Sequence, residues 1–156
     1  MKNPIVFRRA TKEDLVEIVA LLANDDLGKL REDNSIPLSE KYEAAFARII
    51  ADKNQELMVI ESDSQQLIGT LQLSFIPYLT YQGGIRAQIE AVRIHQDFRN
   101  KGLGQQLFEW AIARAKERNA HLLQLTTDKK RPEALRFYQN LGFVASHEGM
   151  KLHLKS

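Results

Sequence analysis

The sequence predicts an α/β domain built on a mixed sheet, and three observations predict it. Segments of alternating, β-branched composition interleave with segments of helical period, in the order β, α, α, β, β, β, α, β, α, β, β. The chain has 156 residues, a length at which one domain is expected. Its composition, 44% hydrophobic and 27% charged, suits a packed core and excludes a disordered chain. Residues 1–156 are therefore expected to form a single domain with a mixed central sheet flanked by about four helices. A chain of this size buries roughly two-thirds of its unfolded surface, so it needs neither disulfide nor structural metal.

The elements follow in order. Ile5 to Arg9 reads as a strand. Thr11 stands as an N-cap before Lys12-Glu13-Asp14, whose acids suit the positive end of a helix dipole. Leu15, Ile18, Val19 and Leu22 continue that helix at i, i+3, i+4 and i+7. Asn24 to Pro37 is rich in Asp, Asn, Gly and Pro and reads as a loop. Ser39 caps a second helix that buries Tyr42, Ala45, Phe46, Ile49 and Ile50. Glu56 to Glu61 and Leu67 to Ile76 read as strands joined by the polar turn 62–66. Pro77 to Gly84 is irregular, Ala87 to His95 is a strand, and Gln96 to Lys101 is a loop. Gly102 opens a long helix with Leu103, Leu107, Phe108, Ala111, Ile112 and Ala115 inward. His121 to Thr126 is a strand. Pro132 starts a helix where its missing N–H costs nothing, and Gly142 ends it. Phe143 to His147 and Met150 to Leu154 are expected to close the sheet as a hairpin.

Composition excludes several functions. With no cysteine, thiol nucleophiles, iron–sulfur clusters and Cys-ligated zinc are absent. The four histidines, His95, His121, His147 and His153, have no i, i+4 pair, so no metal is expected. No apolar run approaches the roughly 18 residues of a membrane span, and the Met1-Lys2-Asn3-Pro4 opening leads into no apolar signal core. A cytoplasmic protein without membrane partners is expected. Net charge is +2, but residues 1–92 carry 10 Lys/Arg against 14 Asp/Glu, and residues 93–156 carry 12 against 6. That asymmetry suits two ligands of opposite sign. The basic excess is too diffuse for a nucleic-acid footprint, so no direct nucleic-acid partner is expected.

The chemistry-bearing stretch is Arg99-Asn100-Lys101-Gly102-Leu103-Gly104, between a strand and the N-terminus of the longest helix. Unpaired amides and the dipole's positive end converge there, and glycines permit close backbone approach, which together make an anion site. No Gly-Lys-Ser/Thr follows, and the third glycine of a dinucleotide fingerprint is missing. Arg-x-x-Gly-x-Gly in this setting resembles the pyrophosphate-binding signature of the GCN5-related N-acetyltransferases (GNAT). Ile89-Glu90-Ala91-Val92-Arg93-Ile94 resembles the preceding strand of that family. Ala134 to Phe143 resembles its Ala-x-x-Phe-Tyr-x-x-x-Gly-Phe block, about 35 residues further on.

The resemblance implies a GNAT-like fold and acetyl-CoA as co-substrate. It implies that the backbone of Val92, Arg93 and Ile94 pairs with the pantetheine arm. Arg99, Asn100, Lys101, Gly102, Leu103 and Gly104 would wrap the pyrophosphate. Thr127 would stand where many members carry a pantetheine-contacting Asn, and Arg136 lies in the helix block. Lys129-Lys130-Arg131 could meet a 3′-phosphate. It further implies that Tyr138 protonates the departing sulfur and that Glu90 is the general base. Family members are often homodimers.

Residue chemistry adds to what the resemblance implies. A lysine-like amine has a pKa of about 10.4, so neutralising it at pH 7 costs about 4.6 kcal/mol, part of which a positioned base offsets. Glu90 is expected to share a strand face with Val92 and Ile94, an apolar setting that would raise its pKa. Tyr138 is expected on the stripe Ala134, Leu135, Tyr138, Leu141. The acceptor side would come from Asn24 to Pro37, with Asp25, Asp26, Glu32 and Asp33, and from Pro77 to Arg86, with Tyr78 and Tyr81. That composition suits an amine acceptor, preferably cationic. An acyl-CoA-binding or regulatory module without catalysis is the alternative.

Overall fold

A computed structural model describes residues 4–155. Met1 to Asn3, part of the opening read above for an apolar signal core, lie outside the described residues. The chain divides into two compact units, Met1–Leu123 and Gln124–Ser156.

The first unit is built on strands β1 (Ile5–Arg9), β2 (Gln55–Ser62), β3 (Leu67–Pro77) and β4 (Ile85–Ile94), in that spatial order and antiparallel throughout. A short β5 (Leu122–Gln124) adds to the far edge of β4 and makes the sheet mixed. The His121 amide donates to the Ile85 carbonyl at 2.9 Å, so both strands start together.

Helices cover both faces. Asp14 anchors the entry to α1 (Leu15–Ala23): its carboxylate accepts from the Thr11 amide at 2.7 Å and from both terminal nitrogens of Arg8 at 2.7 and 2.9 Å. The expected cap is therefore formed, although Lys12–Asp14 wind as a 3₁₀ turn before the α-helix begins. Ser39 Oγ accepts from the Lys41 amide at the start of α2 (Glu40–Ala51). Leu15, Ile18, Leu21 and Phe46 from these helices pack with Ala10, Val59 and Leu67.

On the opposite face lies α4 (Leu103–Glu117). Trp110 stacks on Phe7 with centroids 5.2 Å apart, and Arg118 lies 4.1 Å over the Phe75 ring. Glu56, 1% exposed, is gripped by Arg114 through two bonds of 2.8 and 2.9 Å, and by Arg118. Burial alone would raise its pKa, but Arg114, Arg9 and Arg118 outweigh it and hold the carboxylate below its ordinary range. Arg114, in turn, is held even more firmly protonated than usual.

Between β3 and β4, α3 (Thr80–Gly83) is a single turn in which Tyr81 (φ 52°), Gln82 (φ 57°) and Gly83 (φ 76°) are all left-handed. The sequence reading of an irregular segment here is close. Consecutive left-handed non-glycine residues are costly, at about 1–2 kcal/mol each.

The second unit carries α5 (Pro132–Asn140), with Pro132 at the first position as expected and Gly142 left-handed (φ 101°) just beyond its end. The expected closing hairpin is not formed: Phe143–His147 and Met150–Leu154 hold no strand among the described residues. Met150, Leu152 and Leu154 do alternate, which is what suggested a strand. They are nevertheless 94, 84 and 88% exposed, so no buried face selects the extended pairing. The strand expected at His121 to Thr126 is also shorter, ending at Gln124.

Candidate active site

The segment expected to hold an anion has a specific backbone. Gln96–Phe98 form a 3₁₀ turn, Asn100 (φ 60°) and Gly102 (φ 79°) are left-handed, and α4 begins at Leu103. Left-handed residues flanking Lys101 curl the chain so that successive amides turn toward one side, ahead of a fifteen-residue helix whose first amides lack intrahelical acceptors. A Cβ at Gly102 would meet nothing within 4 Å, so the glycine serves the left-handed backbone and not a close contact. No acid lies in the first turn of α4. These features fit a diphosphate: concave amides, the dipole's positive end and an absence of competing carboxylates.

The cationic side chains expected there are placed differently from one another. Lys101 is exposed and sits 5.6 Å over the Phe98 ring. Arg99 donates to two backbone carbonyls, Ile94 at 3.1 Å and Asn24 at 3.2 Å. Arg93 forms a half-buried ion pair with Asp25 at 2.7 Å and also donates to the Val92 carbonyl at 2.8 Å. Both arginines thus tie the end of α1 to the end of β4.

β4 carries a bulge. Arg93 pairs with Thr70 and Glu90 with Gln72, so Ala91 and Val92 stand opposite Leu71 alone, and Ala91 takes φ 54°. The extra residue resets the alternation. Glu90 therefore shares its face with Arg93, whose partner Thr70 lies on the α1–α2 side, and not with Val92 and Ile94 as expected. The apolar setting anticipated for Glu90 is absent: it is exposed, lies opposite Gln72 and accepts a hydrogen bond from the Gln88 amide group. A polar row adjoins it, with Gln55 Oε1 accepting from Gln72 at 2.9 Å and from Ser74 at 2.7 Å. β5 spans only three residues against the ten of β4, so its ladder stops well short of the bulge.

The acidic loop residues are mostly engaged. Asp25 pairs with Arg93 and accepts from the Leu27 and Gly28 amides. Glu32 meets Arg31 and the Tyr42 hydroxyl, and Asp33 accepts from Ser35, which holds its carboxyl below the usual range. Asp26, 99% exposed, meets Lys29 at 3.4 Å. Tyr78 and Tyr81 surround His121, with Arg86 5.1 Å over the Tyr78 ring. The expected cationic preference loses its basis, because these acids and rings already have partners within the chain.

In the second unit, Tyr138 is half-buried on α5 and packs edge-on against Phe137 and Phe143. Phe137 is half-buried with it while Leu135 is 38% exposed, which turns the expected stripe toward Phe137. Thr127 is half-buried in the irregular segment after β5, and Arg136 is exposed. Among the described residues no group of three His, Asp or Glu side chains is arranged to hold a metal, and no helix is long and apolar enough to cross a membrane.

Sequence comparison decides the family: residues 23–143 match the acetyltransferase (GNAT) family. The chain belongs to that family. It is similar over 97% of its length to the whole of a transcriptional regulator from Bacillus halodurans C-125, with 54% identity and a TM-score of 0.92. Among curated proteins it is 28% identical over 140 residues to an aminoalkylphosphonate N-acetyltransferase of Salmonella typhimurium strain LT2, a match covering 90% of this chain and 85% of that one. A predicted acetyltransferase from Clostridium acetobutylicum, solved with acetyl-CoA, shares the fold at 24% identity and a TM-score of 0.73, covering 97% of each chain. This GNAT chain thus has the architecture of its family from β1 to β5, with the bulged β4 and the α4 entry loop in the first unit.

Proposed function

We propose that this GNAT protein moves an acetyl group from acetyl-CoA to a primary amine, in a ternary complex and without an acyl-enzyme. The observation that carries this reading is the pair of left-handed residues, Asn100 and Gly102, ahead of α4, next to a bulged strand bearing a carboxylate. Gly102, Leu103 and Gly104 hold the diphosphate through backbone amides, with Asn100 and Lys101 completing the turn. The Val92–Ile94 backbone holds the pantetheine arm. Arg93 and Arg99 position that backbone through Asp25 and through the Ile94 and Asn24 carbonyls. Acetyl-CoA, when bound, supplies the activated acyl group.

Glu90 takes the proton from the incoming ammonium, directly or through water, and Gln88 orients its carboxylate. Tyr138 supplies a proton from Oη to the departing sulfur, a role that rests on the Phe137-Tyr138 motif. The aminoalkylphosphonate N-acetyltransferase relative supports a small amine acceptor.

A second reading is a regulatory module that binds acyl-CoA without transfer, favoured by the transcriptional regulator that is 54% identical. Free thiol release from acetyl-CoA on adding a panel of primary amines separates the two. Transfer predicts amine-dependent thiol, and Tyr138→Phe should lower kcat about a hundredfold with little change in KM for acetyl-CoA. Acetyl-CoA binding with no thiol released by any amine would instead select the regulatory module.

A further inference from the structure

β4 alternates cleanly before its bulge. Ala87 and Ile89 are buried, while Arg86, Gln88 and Glu90 share the opposite face, where their cross-strand partners are Ile76, Ser74 and Gln72. Gly84 continues that face toward the hairpin, and there the ring of His121 lies against the strand. A Cβ at Gly84 would come within 2.8 Å of His121 Cδ2, so only glycine admits the ring. The Tyr78 hydroxyl and His121 Nε2 are hydrogen-bonded, and the Tyr81 ring lies against His121, tilted by 32°, with centroids 4.5 Å apart.

Over Tyr78 lies the Arg86 guanidinium. Its Nε is shut off from solvent yet has no hydrogen-bond partner among the described residues. A half-covered guanidinium with an unsatisfied N–H is a standing cost that a tightly packed protein ordinarily removes. An outside oxyanion cannot reach the covered Nε, but the terminal nitrogens of the same guanidinium make no hydrogen bond among the described residues and can take one, and the Tyr78–His121 pair, bonded to each other, leaves one further O–H or N–H close by.

We propose that Arg86, Tyr78 and His121 form an oxyanion site for the remote end of the acceptor, whose amine lies at Glu90. This rests on the acetyl-transfer reading above. Positions 86 and 90 are about 13 Å apart along the strand. Because Arg86 leans over Tyr78, toward the hairpin, the site selects an elongated acceptor. The substrate class is a primary amine separated by a chain or ring from a terminal phosphonate, phosphate or carboxylate. The aminoalkylphosphonate acceptor named for the Salmonella relative has the same two ends. The polar row Gln72, Ser74 and Gln88 lies between the two ends of that track and offers hydrogen bonds to whatever connects them.

Two measurements on the full chain test the proposal. In the first, methylphosphonate is titrated while the His121 ring resonances are followed by NMR, which reports this site and not the α4 entry. A saturable shift is expected, with the apparent Kd raised about tenfold or more in Arg86→Gln and less in Arg86→Lys, which keeps the charge but not the planar fork. In the second, thiol release is compared for 6-aminohexylphosphonate and hexylamine. The phosphonate should have a kcat/KM at least about tenfold higher, and that ratio should fall toward one in Arg86→Gln. A silent His121, a shift that Arg86→Gln leaves unchanged, or equal use of the two amines overturns the proposal. An Arg86-dependent His121 shift with no turnover of any amine leaves the oxyanion site standing and removes acetyl transfer. Turnover of hexylamine with a silent His121 does the reverse.

Discussion

Glu90 shows how one backbone irregularity reassigns a side chain. Its type and its place on the strand before the α4 entry loop are readable from the sequence. Its neighbours are not, because the bulge is carried by an alanine, a residue type with no preference for φ 54°. The alternation rule therefore groups Glu90 with Val92 and Ile94, where the folded strand groups it with Arg86, Gln88 and Arg93. Glu90→Gln keeps the shape and hydrogen bonding of the side chain and removes its basicity. It should lower kcat about a hundredfold at neutral pH and leave the KM for acetyl-CoA near that of the native chain, as steady-state thiol release will show. A change confined to the acceptor KM would make Glu90 a binding group instead.

The α4 entry is the element most fully announced by sequence. Gly102 signals a left-handed residue and the amphipathic run behind it signals the helix. Asn100 adds a second left-handed position that only an Asn, Asp or Gly could have hinted at. Gly102→Ala tests the element without crowding it, since a Cβ there meets no neighbour. Forcing an alanine to φ 79° costs about 1–2 kcal/mol, so the acetyl-CoA KM should rise about tenfold if the loop opens to relieve the strain. A rise in KM with a nearly constant Tm places the cost in the loop, and an unchanged KM would detach the loop from cofactor binding. The 143–154 segment is the opposite case. Its alternation was legible, but periodicity records only which residues could share a face, and whether a neighbouring strand covers that face is set by the rest of the chain.

Across the molecule, carboxylates held by arginines fix the packing of the sheet against its helices, and they set its acid stability. Glu56 and Asp14 both lie below their ordinary values of 4.5 and 3.8, Asp14 chiefly through its bonds to Arg8. A carboxylate depressed in the folded state stabilises fully above its unfolded pKa and loses that contribution as pH falls through its folded pKa. The chain should therefore be most stable at neutral pH and lose stability progressively below about pH 4.5. Glu56→Gln leaves three arginines without their shared anion. It should cost about 2–3 kcal/mol at pH 7, a Tm drop of about 5–10 °C, and flatten the acid limb of a Tm-against-pH curve. Part of the acidic N-terminal and basic C-terminal bias seen in composition is spent within the fold, in the pairs of Arg114 and Arg118 with Glu56 and of Arg93 with Asp25. This is why charge counting pointed to a cationic acceptor that the arrangement of the side chains does not favour.

Isothermal titration of the full chain with acetyl-CoA, alongside acetyl-pantetheine, which has the same acyl arm but no diphosphate, probes the amide cradle ahead of α4 most directly. Saturable binding of acetyl-CoA, at least about tenfold tighter than that of acetyl-pantetheine, is the expected result. Equal affinities, or no saturable heat at millimolar acetyl-CoA, would contradict it.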